Sequence, residues 1–287
     1  MKVPSRFYAQ LDALRIIRQS IKGPVDYVGC HMLPDQTAEP KARRYQCLVS
    51  LMLSSQTKDA VTAGAMSSLR EALATRNLIF SVDGVCKMTL EEIDECIAKV
   101  GFHTKKAHYI LQTSRILREK YDGDIPESTE DLQKLPGVGP KMAYLCMQSA
   151  WGKVLGIGVD VHVHRLSRML GWLDCDPVAK QKNTPEATRL CLEKWLPKEL
   201  WSEINPLLVG FGQTMCPKKS PHCDQCLLAA RHLCKNAKLR PQEADLHYIN
   251  EKSQDPKQIE DIEDLVVKRE LEDYSLPAKR VKLEHAT

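Results

Sequence analysis

No apolar run in this chain is long enough to cross a bilayer, so a membrane span is not expected. The amino terminus shows no apolar core of the kind a secretion signal needs, and a secreted protein is not expected either. Alternating strand patterns are almost missing, which argues against a sheet protein. No segment recurs at a fixed period, which excludes a solenoid or propeller. Neither sign of charge dominates, with 41 Lys and Arg against 37 Asp and Glu. Eleven cysteines in a chain without a secretion signal point to thiols and metal ligands rather than a disulfide framework.

What is present is helical patterning over 287 residues, 43% of them hydrophobic, enough for two modest domains and a tail. Phe7, Leu11, Leu14 and Ile17 recur at helical spacing, and Gly23-Pro24 is expected to stop that first helix. The run Cys47-Leu48-Val49-Ser50-Leu51-Met52-Leu53 reads as a buried helix, although a strand is open on length alone. Thr89-Leu90-Glu91-Glu92 fits a capping box, residues 105–121 form an amphipathic helix, and Ser128 caps the next. Thr184-Pro185 opens a later helix, and Trp201 to Phe211 marks the last core helix, with Pro206 as a kink. The body is therefore expected to be all-α, with about ten short helices.

Charge is uneven. From Ala237 onward there are 9 Lys/Arg and 12 Asp/Glu, whereas the preceding 236 residues hold 32 and 25. A basic body is compatible with a nucleic-acid partner. The final segment is expected to be a disordered or weakly helical tail. Its basic cluster Pro277-Ala278-Lys279-Arg280-Val281-Lys282-Leu283 fits a nuclear import receptor, the alternative being an ordinary solvated charge cluster.

The most informative stretch reads Leu135-Pro136-Gly137-Val138-Gly139-Pro140-Lys141. Its two glycines permit a tight turn whose N–H groups can form an anion nest, and Pro140 suits a first helical position. Turn and helix start together make a phosphate cradle. Lys141 lies in the first helical turn, where the dipole disfavours an ammonium by roughly 0.3–1 kcal/mol. The apolar residues after it suggest burial, and both effects favour a neutral, nucleophilic amine capable of a Schiff base. A surface lysine that happens to follow a turn is the alternative. Asp160 precedes another helix at Val161-His162 and is either an N-cap alone or a carboxylate facing the same cleft.

Cys216, Cys223, Cys226 and Cys234 have the spacing C-x6-C-x2-C-x7-C. A zinc site usually takes two short knuckles, and only one is present; the wide gaps suit a [4Fe–4S] cluster, with zinc left open. Lys218 and Lys219 lie between the first two of these cysteines and are candidates for phosphate contact. The remaining cysteines (30, 47, 86, 96, 146, 175 and 191) read as core thiols.

In combination these motifs resemble the endonuclease III family of DNA glycosylases, in particular its eukaryotic members. The resemblance covers residues 40–235 and includes the glycine turn, Val159-Asp160-Val161-His162, the late cysteines and Leu53-Ser54-Ser55-Gln56-Thr57-Lys58-Asp59. It implies an all-α fold of two helical domains. These are a six-helix domain with a helix–hairpin–helix over 38–153 and an iron–sulfur domain over 154–236, joined by the N-terminal segment 1–37; residues 237–287 remain a tail. It also implies base excision repair of oxidised pyrimidines in damaged double-stranded DNA by a nuclear monomer with a [4Fe–4S] cluster, a mitochondrial location being left open. Lys141 would form the Schiff base and Asp160 would assist. Gln56 would fill the space left by the extruded nucleotide, Phe102 would wedge between bases, and Gly137 and Gly139 would hold a phosphate. The last cysteine gap is two residues longer than is usual in the family. The adenine-mismatch branch lacks the lysine and the oxoguanine branch lacks the cysteines. A DNA-binding helix–hairpin–helix module with a structural metal centre is the non-enzymatic alternative.

Overall fold

The computed structural model describes residues 2–238; the tail, apart from its first two residues, and the basic cluster at 277–283 lie outside them. Helices account for all the regular structure among the described residues. In chain order they are α1 (Phe7–Ser20), α2 (Pro24–Val28), α3 (Pro40–Ser54), α4 (Asp59–Ala74), α5 (Val82–Cys86), α6 (Leu90–Cys96) and α7 (His103–Lys120). There follow α8 (Thr129–Leu132), α9 (Pro140–Trp151), α10 (Val161–Met169), α11 (Pro177–Lys182) and α12 (Pro185–Trp195). A 3-10 turn at Lys198–Leu200 then leads into α13 (Trp201–Gln213) and α14 (Leu227–Ala230). These outnumber the ten or so expected because single-turn helices such as α8 and α14 are too short to show a period.

Helix starts follow side-chain chemistry. Thr89 and Glu92 form the reciprocal capping box expected of them, and Ser128 and Thr184 accept N–H groups at the starts of α8 and α12. Pro24 does not simply end α1; it occupies the first turn of α2, where a missing N–H costs nothing. The apolar run at 47–53 is helical, inside α3.

Two hydrophobic cores form. One spans Tyr45 to Met147 and is built by α3 to α9. The other joins α1 to the segment from Ile157 to Ala229, so the chain's first helix closes on its last described ones. Cys30 and Leu33 pack against the first core. Residues of α1 reach α13 and α14, and Phe7 meets Trp172 and Trp195 edge-to-face at 5.1 and 4.8 Å between centroids.

Polar contacts join the two cores. Pro206 has no N–H, so the Ser202 carbonyl one turn earlier in α13 is left free and accepts the Gln148 amide of α9 at 3.1 Å. Gln213 at the end of α13 donates to Asp59 at 2.7 Å and accepts the Val25 N–H at 3.0 Å. No described helix is long and apolar enough to cross a membrane.

The fully buried Gln10 closes the second core. Its amide donates to the carbonyls of Leu170 (3.0 Å) and Leu233 (2.9 Å), and its oxygen accepts the Trp172 indole N–H at 2.7 Å. Gln10→Leu keeps the volume and removes all three bonds. Leaving those groups unpaired costs about 2–4 kcal/mol, which should appear as a lower midpoint in chemical or thermal unfolding. An unchanged midpoint would show the network to be energetically idle.

Candidate active site

Two of the glycines in the 135–141 turn have different tasks. Gly137 has φ +77°, and a Cβ there would lie 2.4 Å from the Tyr109 ring. Only glycine meets both conditions. Gly139 has open space where a side chain would stand, and as the extended N-cap residue it leads directly into Pro140. Lys141 and Met142 follow in the first turn of α9, and their N–H groups have no backbone acceptor among the described residues.

Helix α9 is less enclosed than its apolar sequence suggests. Ala143, Cys146 and Met147 are buried, whereas Lys141, Met142, Tyr144 and Leu145 are half-buried and Ser149 is exposed. The expected burial on nearly every side is corrected to one buried face. The other face is partly covered by the chain's own return. Gly152, at φ +67°, ends the helix, and the segment that follows packs against its middle. A Cβ on Gly156 would lie 2.5 Å from the Tyr144 ring, and one on Gly158 would lie 2.4 Å from Leu145. These two glycines therefore let backbone lie directly on α9. The return is pinned by Ile157 N–H to Glu193 (2.8 Å) and by Asn205 to the Gly158 carbonyl (2.6 Å).

Twelve residues of helix are about 18 Å long, and eight extended residues can reach about 26 Å. The return is therefore long enough to bring Asp160 back to the end of α9 that bears Lys141. Asp160 caps α10, with Oδ1 accepting the Val163 N–H at 2.8 Å, and Oδ2 has no protein partner among the described residues. The cap and the free oxygen coexist.

His162 follows Asp160 by two residues, in the first turn of α10. Burial pushes its imidazole below the ordinary histidine value; Asp160 and Asp59 oppose that push, while Arg165 and Lys141 reinforce it. Helix α9 packs in the first core and α10 in the second. The His162 Nδ1 is buried without a hydrogen-bond partner, and its ring fills the space beside Gly212. Cys30 lies near the same amine: burial raises its thiol and the Lys141 charge lowers it. Cys30, Asp59 and Gln213 were not assigned to the site from sequence. Asp59 stands inside the quoted 53–59 motif, but nothing in one dimension pairs it with Gln213.

Gln56 and Phe102 come together through their backbones. Both have left-handed φ, +54° and +60°, and both are exposed, Phe102 at 64%. Gly101 N–H donates to Thr57 Oγ1 at 3.3 Å. The four late cysteines line one cavity of about 280 Å³, together with Arg165 and Lys218. No three Cys, His, Asp or Glu side chains among the described residues converge tightly enough for a single ion. Arg165 of α10 donates to the Cys216 carbonyl and reaches its Sγ at 3.6 Å, which links the Asp160 helix to the cysteine loop. Lys218 and Lys219 are exposed, and no described hydrogen bond or ion pair connects them to the Lys141 cleft. Of the seven other cysteines, 47, 146 and 191 are buried and 30, 86, 96 and 175 half-buried, all as free thiols.

Residues 49–198 match the model of the HhH-GPD superfamily base excision DNA repair protein. The "Endonuclease III-like protein 1" of Bos taurus is 51% identical over 235 residues, which cover 82% of this chain and 73% of that one. The "Endonuclease III homolog" of Schizosaccharomyces pombe is 47% identical over 239 residues, 82% of this chain and 63% of the relative. A solved trapped endonuclease III–DNA covalent intermediate superposes with a TM-score of 0.66 at 27% identity, covering 83% of this chain and 98% of that one. A non-covalent endonuclease III–DNA complex matches equally well, again with a TM-score of 0.66. The chain belongs to the endonuclease III family, within the HhH-GPD superfamily of base excision DNA repair proteins.

Proposed function

We propose that this chain is a DNA glycosylase with AP lyase activity that removes oxidised pyrimidines from duplex DNA, with Lys141 as nucleophile and Asp160 as its acid–base partner. The observation that carries this reading is the half-buried Lys141 in the first turn of α9, beside the open N–H groups that follow the glycine turn, in a chain of the endonuclease III family. Lys141 Nζ attacks C1′ of the damaged nucleotide as the C1′–N bond to the base breaks. Loss of the amine proton and ring opening give an imine, and loss of a C2′ proton then expels the 3′ phosphate. Asp160 Oδ2, unclaimed by the helix cap, is the acceptor for protons in these steps and the counter-charge to the cationic sugar. His162, kept neutral at pH 7 by burial, adds no competing cation.

The DNA would lie across the cleft, with Gly137, Gly139 and the open N–H groups of α9 on a phosphate. Gln56 and Phe102 would enter the duplex as the damaged base leaves it. Lys218 and Lys219 would meet a neighbouring phosphate. The domains are taken as 1–37, 38–153 and 154–236, with 237–287 as a tail whose cluster at 277–283 serves an import receptor. The protein acts as a monomer in the nucleus.

Cys216, Cys223, Cys226 and Cys234 fit a [4Fe–4S] cluster, since four thiols line one space roomy enough for a multi-atom centre. Such a cluster would brace the loop carrying Lys218 and Lys219 and take no part in the chemistry at C1′.

Borohydride should trap a covalent adduct between the protein and a damaged duplex, and Lys141→Ala should abolish it. An adduct that persists in that variant would remove the lysine assignment, and a wild type that binds DNA but traps nothing would favour a binding module. Asp160→Asn keeps the helix cap, so stability should stay within about 1 kcal/mol of wild type while turnover falls by about a hundredfold or more. The purified protein should contain iron and sulfide and absorb in the visible, and Cys226→Ser should bleach it. A zinc-only, colourless protein would overturn the cluster.

A further inference from the structure

Lys106 is the only lysine buried among the described residues, at 7% exposure. It lies in the first turn of α7, and no carboxylate pairs with it there. Its Nζ instead donates to the Leu53 carbonyl at 2.7 Å, the Ser55 carbonyl at 2.5 Å and Thr57 Oγ1 at 3.2 Å. Two of those acceptors are carbonyls at the end of α3, where the helix leaves oxygens unpaired and the dipole is negative. Burial pushes the amine down to about 8, which still leaves an ammonium at neutral pH. Its three N–H groups match the three oxygens.

Thr57 extends this contact to a second turn. Its hydroxyl donates to the Ser55 carbonyl at 3.2 Å and accepts the Gly101 N–H at 3.3 Å. Gly101 packs so closely that a Cβ there would lie 2.9 Å from the Gln56 carbonyl. At the crests of the two turns stand Gln56 and Phe102, both non-glycine residues with left-handed backbones. Such conformations persist only where the surroundings hold them. Lys106 and Thr57 are what holds them.

We propose that Lys106 is a positioning residue that, through Thr57, locks the Gln56 and Phe102 turns at one fixed separation, so that both side chains enter the duplex as a single rigid probe. This rests on the glycosylase reading only for the identity of the duplex lesion. A probe ordered in advance does not spend binding energy on ordering two loops when the helix is opened. Lys106 itself, being buried, touches neither the DNA nor the reacting sugar.

The test uses the full chain and Lys106→Met, which keeps the length of the side chain but cannot donate. Thr57→Val, at a half-buried position, serves as the second variant should the first fail to fold. Fluorescence of 2-aminopurine opposite an oxidised pyrimidine reads opening of the duplex without needing chemistry, and single-turnover base release is measured on the same lesion either paired or held in an unpaired bulge. Both variants should open the paired site poorly and release its base about 10–100-fold more slowly, with less than about threefold loss on the bulge. Equal slowing on both substrates, or wild-type opening by both variants, would overturn the clasp. Opening by the wild type alone, without base release by any protein, would support the clasp and remove the glycosylase reading.

Discussion

Everything at the site depends on backbone lying directly against helix α9. The amine and the carboxylate both stand at helix starts, and a chain leaving the far end of α9 must retrace its length before the second can face the first. Gly156 and Gly158 make that possible, because the Tyr144 ring and the Leu145 side chain occupy the volume that any Cβ would need. A larger residue at either position would push the return outward, and Asp160 with it. The course of the chain into Asp160 is therefore set by packing two and four residues before it.

The return segment is in turn held by the second core. Glu193 of α12 and Asn205 of α13 fix it by side chain-to-backbone bonds, and Arg165 couples the Asp160 helix to the cysteine loop. Gln10 carries the same coupling to the amino terminus, since its amide reaches Leu233 beside Cys234. The return segment, α10 and the cysteine loop are consequently not independent modules. A disturbance of the loop can reach α10 through one guanidinium.

Asp160 resolves an opposition that looks sharper in sequence than it is in space. A helix cap needs one oxygen, and a carboxylate has two. Val163 N–H takes Oδ1, which fixes the side-chain rotamer and aims Oδ2 without consuming it. The cap and an unclaimed carboxylate oxygen thus coexist in one side chain. Lys141 shows the complementary case: it is half-buried rather than enclosed, with its surroundings shared between the first core, Cys30 and the His162 ring.

Much was legible from local chemistry. Helix starts at Thr89, Ser128, Thr184 and Asp160, the left-handed Gly137 and the proline at the head of α9 all follow from interactions spanning three or four residues, which a linear sequence displays. The single-turn helices escaped because they complete no hydrophobic period. The pairings of Gln213 with Asp59, Gln10 with Trp172 and Lys106 with the end of α3 join residues 51 to 162 positions apart, by hydrogen bonds that no spacing rule encodes. Which chemical groups this protein carries is written along the chain, because helix caps, turns and thiol spacings are short-range. Which of them meet was settled by the packing of two cores against one another, since burial selects partners by position in space rather than along the chain.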